Sequence, residues 1–119
     1  MWQFLNPNPC GRSVGDCVIR ALSILLNQSW EQTYTALCIT GFLECDMPNA
    51  NHVWGRYLEE NGFVCEPLYN TSVRQFAKDN PFGRYVLATG EHVVTVIDGY
   101  YYDAWDSGSE IPIFMWRRK

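Results

Sequence analysis

The sequence predicts an α+β fold in which N-terminal helices pack on a C-terminal antiparallel sheet. Three observations carry that expectation. Apolar residues recur at helical spacing through the first half, from Val18 to Leu58. After Gly62 the period changes, and short runs of β-branched and aromatic residues take over. Between two of those runs stands Asp98-Gly99, among the best short hairpin signals a sequence offers.

The first ten residues read as loop, with Pro7, Pro9 and the turn formers Asn6, Asn8 and Gly11. Gly15-Asp16 then opens a helix. Val18, Ala21, Leu22 and Leu25 share one side of it, Ile19 and Leu26 broaden that side, and Asn27-Gln28 end it. Asp16 is the expected N-cap, its carboxylate accepting from the free amides of the first turn. Ser29-Trp30-Glu31-Gln32 is a capping box, and it starts a second helix running to about Leu37 or Cys38. Gly41 to Pro48 reads as loop. A third helix follows Asn49-Ala50-Asn51 with Val53, Trp54, Tyr57 and Leu58 on one side. Gly62 sits just past its end, where a left-handed residue is expected. Phe63-Val64-Cys65 is a short strand. Ser72 caps one or two further helical turns, ended by Asn80-Pro81. Four strands are then expected, over Arg84–Thr89, Val93–Asp98, Tyr100–Trp105 and Ile111–Trp116.

The chain's 119 residues suit a single domain, 1–119, able to bury about two-thirds of its unfolded surface. Eighteen aromatic residues and a 47% hydrophobic content exclude disorder. Trp2, Trp30, Trp54 and Trp116 are simplest as core fillers. The net charge of −4 has the wrong sign for a general nucleic-acid binder, and the basic run Arg117-Arg118-Lys119 reads as a solvated tail. No membrane segment is expected, because the longest apolar stretch, Ala21 to Leu26, is broken by Ser23. The N-terminus lacks the basic start and apolar region of a signal peptide, which points to the cytoplasm. There the five cysteines, Cys10, Cys17, Cys38, Cys45 and Cys65, are expected as free thiols. Their spacing is not that of a zinc site, and neither metal nor cofactor is expected.

Cys17 lies one residue past the expected cap of the first helix. The unpaired amides there act as a partial positive charge, which favours a thiolate, the nucleophilic form. They could also hold a developing oxyanion. His92 opens an apolar strand after the turn at Thr89-Gly90 and is a candidate base, given an acid to orient it. A two-residue turn at Asp98-Gly99 pairs Ile97 with Tyr100 and, counting outward, Val94 with Asp103 and His92 with Trp105. His92, Val94, Tyr101, Asp103 and Trp105 then project from one side of the sheet. Asp103 becomes the diagonal neighbour of His92, at a Cα separation of about 7–8 Å. Asp106 falls on the opposite side, although a slip of one residue would exchange the two acids. It also has a plain role in starting the turn Asp106-Ser107-Gly108-Ser109. Thiol, imidazole and acid form a nucleophile, base and orienter arrangement.

These residues, in this order, resemble a papain-like cysteine protease. That family carries its nucleophilic Cys at the start of an N-terminal helix, and its His and Asn or Asp on neighbouring strands of a C-terminal sheet. The segment from His92-Val93-Val94 through Asp103-Ala104-Trp105 is similar to the family's His-bearing strand and Asn-Ser-Trp stretch. The resemblance implies a minimal papain-like fold, with Asp103 orienting His92 and Trp105 shielding the bond between them. Where the family has a Gln, five or six residues before the Cys, this chain has Arg12 and Gly11. Asn8 could supply the oxyanion-binding amide instead, with Gln3 and Ser13 as weaker options. Gly15-Asp16-Cys17-Val18-Ile19-Arg20-Ala21-Leu22, followed by Ser29-Trp30-Glu31, also resembles small chains of bacteriophage and bacterial origin.

The expected function is therefore a thiol-dependent hydrolase acting on a polypeptide through Cys17, His92 and Asp103. The alternative is an inactive papain-like module that docks onto a host protein, its acidic charge and aromatics serving as an interaction surface.

Overall fold

A computed structural model describes residues 1–12 and 14–119. In chain order the elements are β1 (Trp2–Phe4), α1 (Cys17–Leu26), α2 (Trp30–Glu44), α3 (Asn51–Glu60), β2 (Phe63–Pro67), α4 (Val73–Asp79), β3 (Arg84–Ala88), β4 (Val93–Ile97), β5 (Tyr100–Asp103) and β6 (Phe114–Arg118). The chain is α+β, with one six-stranded mixed sheet in the order β1-β5-β4-β3-β6-β2. Every neighbouring pair is antiparallel except β1 with β5, which is parallel.

The hairpin between β4 and β5 forms as its turn chemistry dictates. Asp98 and Gly99 both have positive φ, 49° and 84°, the requirement of a type I′ turn. Ile97 pairs with Tyr100, Val96 with Tyr101 and Thr95 with Tyr102. Alternation along β4 splits its side chains between two cores. Val93 joins Leu22 and Leu25 of α1, Leu37 of α2, and Trp54 and Leu58 of α3 on one side of the sheet. Val94 and Val96 join Tyr101 and the α4 residues Val73, Phe76 and Ala77 on the other.

Polar contacts lock α1 onto the sheet and onto α2. The hydroxyl of Thr95, buried in β4, donates to the Ala21 carbonyl at 2.6 Å. Arg84 donates to the Leu25 carbonyl at 2.8 Å, placing a cation at the negative end of α1. Ser23 and Thr33 hydroxyls meet at 2.8 Å. Cys17 is therefore fixed relative to β4 by the register of a whole helix.

The structure corrects several sequence expectations. The first ten residues are not all loop. Trp2–Phe4 forms β1, whose main chain pairs with Tyr101–Asp103 almost a hundred residues on. The second helix runs to Glu44 rather than Cys38, with a left-handed Cys45 after it. Gly41 lies inside that helix because the returning chain passes close by: a Cβ there would sit 2.7 Å from the Asp46 carbonyl oxygen. The last strand starts at Phe114 rather than Ile111, and Arg117 and Arg118 belong to it rather than to a solvated tail. The Asp16 carboxylate does not cap α1, because it is drawn into side-chain bonds. Of the four tryptophans, Trp54 and Trp116 are core, packed at 5.9 Å, whereas Trp2 is exposed.

Candidate active site

Cys17, the first residue of α1, and His92, just before β4, lie near the end of the sheet where β5 finishes with Asp103, close enough for each to shift the other's titration. His92 Nε2 lies 2.6 Å from Asp103 Oδ2. Both side chains are buried, Asp103 at 3% exposure. With Nε2 engaged, Nδ1 is the ring nitrogen left for the thiol. Trp105 packs over the imidazole, with ring centroids 5.0 Å apart and planes at 39°, while its outer side faces solvent.

Asp103 is held from all sides. Its Oδ2 also accepts from the buried hydroxyl of Ser107 at 2.7 Å, and its Oδ1 from the amide of Ala104 at 2.8 Å. Its carbonyl oxygen accepts from the Leu5 amide at 3.0 Å and from the Trp2 indole at 3.3 Å, so β1 is part of its support. A buried carboxylate with this many donors is fixed in place.

The titrations of the thiol and the imidazole move towards each other. Burial pushes the Cys17 thiol up, but the hydrogen bond and charge of His92, the Val93 backbone and the charge of Arg20 outweigh it. The thiol ends below its ordinary value. Burial pushes His92 down. Hydrogen bonds to Asp103 and Cys17, with their charges, more than reverse this and raise it to about 9. Both directions favour a thiolate beside an imidazolium. Cys65 behaves oppositely: burial and the charges of Glu59 and Glu66 raise its thiol.

The remaining expected residues are placed as follows. Asp106 is half exposed, and its hydrogen bonds go to groups other than His92. It accepts from the Tyr101 hydroxyl at 2.6 Å and the Gly108 amide at 3.0 Å, with Arg74 at 3.7 Å. A supporting role at the imidazole is therefore corrected to a role in its own turn. Asn8 donates from its side-chain amide to Asp16 Oδ2 at 3.3 Å, and its Oδ1 accepts from the Cys10 amide at 2.9 Å. That puts the amide beside the residue preceding Cys17. Gln3 lies in β1 opposite Tyr102. Ser13 lies outside the described residues.

Two residues of this region were not singled out in the sequence. Ser107 passed as a turn residue, although it stands four positions after Asp103. Arg20 stands in the first helix with no role assigned from the sequence, although its spacing from Asp16 is that of a helical ion pair.

Among the described residues, no cluster of His, Cys, Asp and Glu is arranged to hold a metal ion, and no helix is long and apolar enough to cross a membrane. In comparisons with known proteins, the chain matches no family model, no curated protein and no solved structure.

Proposed function

We propose that this protein is a papain-like cysteine peptidase that cleaves peptide or isopeptide bonds. The observation that carries the reading is the buried 2.6 Å contact of His92 with Asp103, beside a thiol whose titration His92 lowers.

In the proposed reaction the Cys17 thiolate attacks the substrate carbonyl carbon, forming a C–S bond and an oxyanion. The amide of Cys17 at the start of α1 and the side-chain amide of Asn8, which bonds to the neighbouring Asp16, are the donors assigned to that oxyanion. His92 passes its proton to the leaving nitrogen as the C–N bond breaks, leaving a thioester. Neutral His92 then takes a proton from water, whose oxygen attacks the thioester. The C–S bond breaks, the acid leaves, and the thiolate and imidazolium are restored. Asp103 holds the ring in place throughout. Trp105 keeps water from the bond between His92 and Asp103.

The test is digestion of a mixed polypeptide pool by the wild type and by Cys17→Ala, with new termini read by mass spectrometry. Termini that appear with the wild type alone support a peptidase. An identical pattern from both proteins rejects it.

A second reading, a papain-like module that binds a protein without turnover, draws on the exposed apolar side of α2, where Ile39, Phe42 and Leu43 face solvent. Under that reading Cys17 would carry no kinetic privilege over the other thiols.

A further inference from the structure

We infer that Arg20 is a positioning residue of the proposed site: with Asp16 it forms a buried charge relay that links the first turn of α1 to Asp103 and sets how readily Cys17 ionises. The inference rests on the peptidase reading of Cys17 and His92.

Arg20 is the fourth residue of α1 and is buried at 7% exposure. A buried guanidinium keeps its charge and costs several kcal/mol to desolvate unless it is well paired. Here it is enclosed by two buried carboxylates. Its Nη1 bonds to Asp16 Oδ1 and donates to the Val14 carbonyl at 3.4 Å. Its Nη2 lies 3.7 Å from Asp103 Oδ1, too long for a good hydrogen bond but close for a charge. Asp16 is itself fixed by the Trp30 indole at 2.9 Å and by Asn8. The chain of contacts runs Trp30, Asp16, Arg20, Asp103, His92, and it encloses the start of the helix that carries Cys17.

The charges within this region are Asp16 and Arg20 at the α1 end, His92 before β4 and Asp103 in β5; α2 contributes the uncharged indole of Trp30. Counting Asp16, Arg20 and Asp103 as ionised, the cluster carries one net negative charge, whether the thiol and imidazole are neutral or form an ion pair. Removing the Arg20 charge makes that two, and the added thiolate becomes the least favourable of the buried anions. Removing the Asp16 charge does the reverse. The two changes should therefore move the thiol in opposite directions, which a purely packing role for either residue would not produce.

The experiment measures the pH dependence of Cys17 carboxamidomethylation by iodoacetamide, followed on the Cys17 peptide by mass spectrometry, in the wild type, Arg20→Gln, Asp16→Asn and His92→Ala. In Arg20→Gln the midpoint of the acid limb should rise by about one pH unit, the scale of losing one near charge. In Asp16→Asn it should fall. A folded Arg20→Gln with an unmoved midpoint overturns the inference. Should Arg20→Gln fail to fold, Asp16→Asn decides: a downward shift supports the relay, and an unmoved or raised midpoint rejects it. His92→Ala separates the two levels. If it leaves the wild-type profile unchanged, the peptidase reading of the site fails. If it raises the midpoint while the Arg20 and Asp16 variants do not move it, only the relay fails.

Discussion

Nε2 of His92 and Oδ2 of Asp103 lie 2.6 Å apart, buried beneath Trp105, and this pair differs in kind from that of His52 and Asp46. His52 and Asp46 approach to 3.2 Å, but with 58% and 40% of their side chains exposed. Solvent screens such a surface pair, which contributes little. Around His92 and Asp103 water is largely excluded, and the same two groups become a directional, strongly coupled unit.

The first prediction separates the two acids. Asp103→Asn leaves the carboxylate's shape but removes the charge that holds the imidazolium. Carboxamidomethylation of Cys17 at pH 6 should slow by tenfold or more, since a near charge shifts a titration by about one unit or more. Asp106→Asn should leave that rate within about twofold. The reverse ranking would show that Asp106 orients the ring.

Cys17→Ala removes the proposed nucleophile from the first turn of α1 and replaces it with a good helix former. Turnover of any substrate found should vanish, while the unfolding free energy changes by about 1 kcal/mol or less. Activity that survives in this variant places the nucleophile elsewhere.

Hydrolysis needs His92 protonated to expel the leaving amine. With its titration raised to about 9, kcat should hold through neutral pH and fall as the pH rises through that value. Thiol alkylation needs only the thiolate and should not fall with it. An alkaline limb near 6.5, the ordinary imidazole value, would contradict the coupling of His92 to Asp103.

Gly41→Ala tests the fold. On an open helix surface this change stabilises by about 1 kcal/mol. Here the new Cβ would sit 2.7 Å from the Asp46 carbonyl oxygen, a backbone atom that cannot swing aside. Thermal unfolding should show a loss of about 1–3 kcal/mol, the usual cost of overpacking. A gain would mean the chain does not pass close to α2 at this point.

What could be read from the sequence was local. The Asp98-Gly99 turn fixes its own geometry through two positive φ angles. That turn sets the register of β4 and β5, so the nearness of His92 and Asp103 follows from counting. The capping box at Ser29 and Gln32 forms as read. What could not be read depends on distant partners. β1 is three residues long and exposed, and its pairing with Tyr101–Asp103 leaves no periodic trace. Gly41 looks like a helix breaker until the return of Asp46 to Pro48 over it is known. Ile111 and Ile113 look like strand residues but their side chains stay exposed around Pro112, and the strand itself starts at Phe114. Arg20 looks like a surface residue because a sequence does not say that two carboxylates will be buried with it.

The most direct test of the central claim compares Cys17 with Cys65 in the same molecule. Cys65 is exposed and Cys17 only partly so, so accessibility alone ranks Cys65 first. The charge environment reverses that order, lowering the titration of Cys17 and raising that of Cys65. At pH 6, iodoacetamide should modify Cys17 at least about tenfold faster than Cys65, and His92→Ala should erase the difference. Cys65 reacting first in the wild type, or a Cys17 rate untouched by His92→Ala, would contradict a thiol activated by the imidazole.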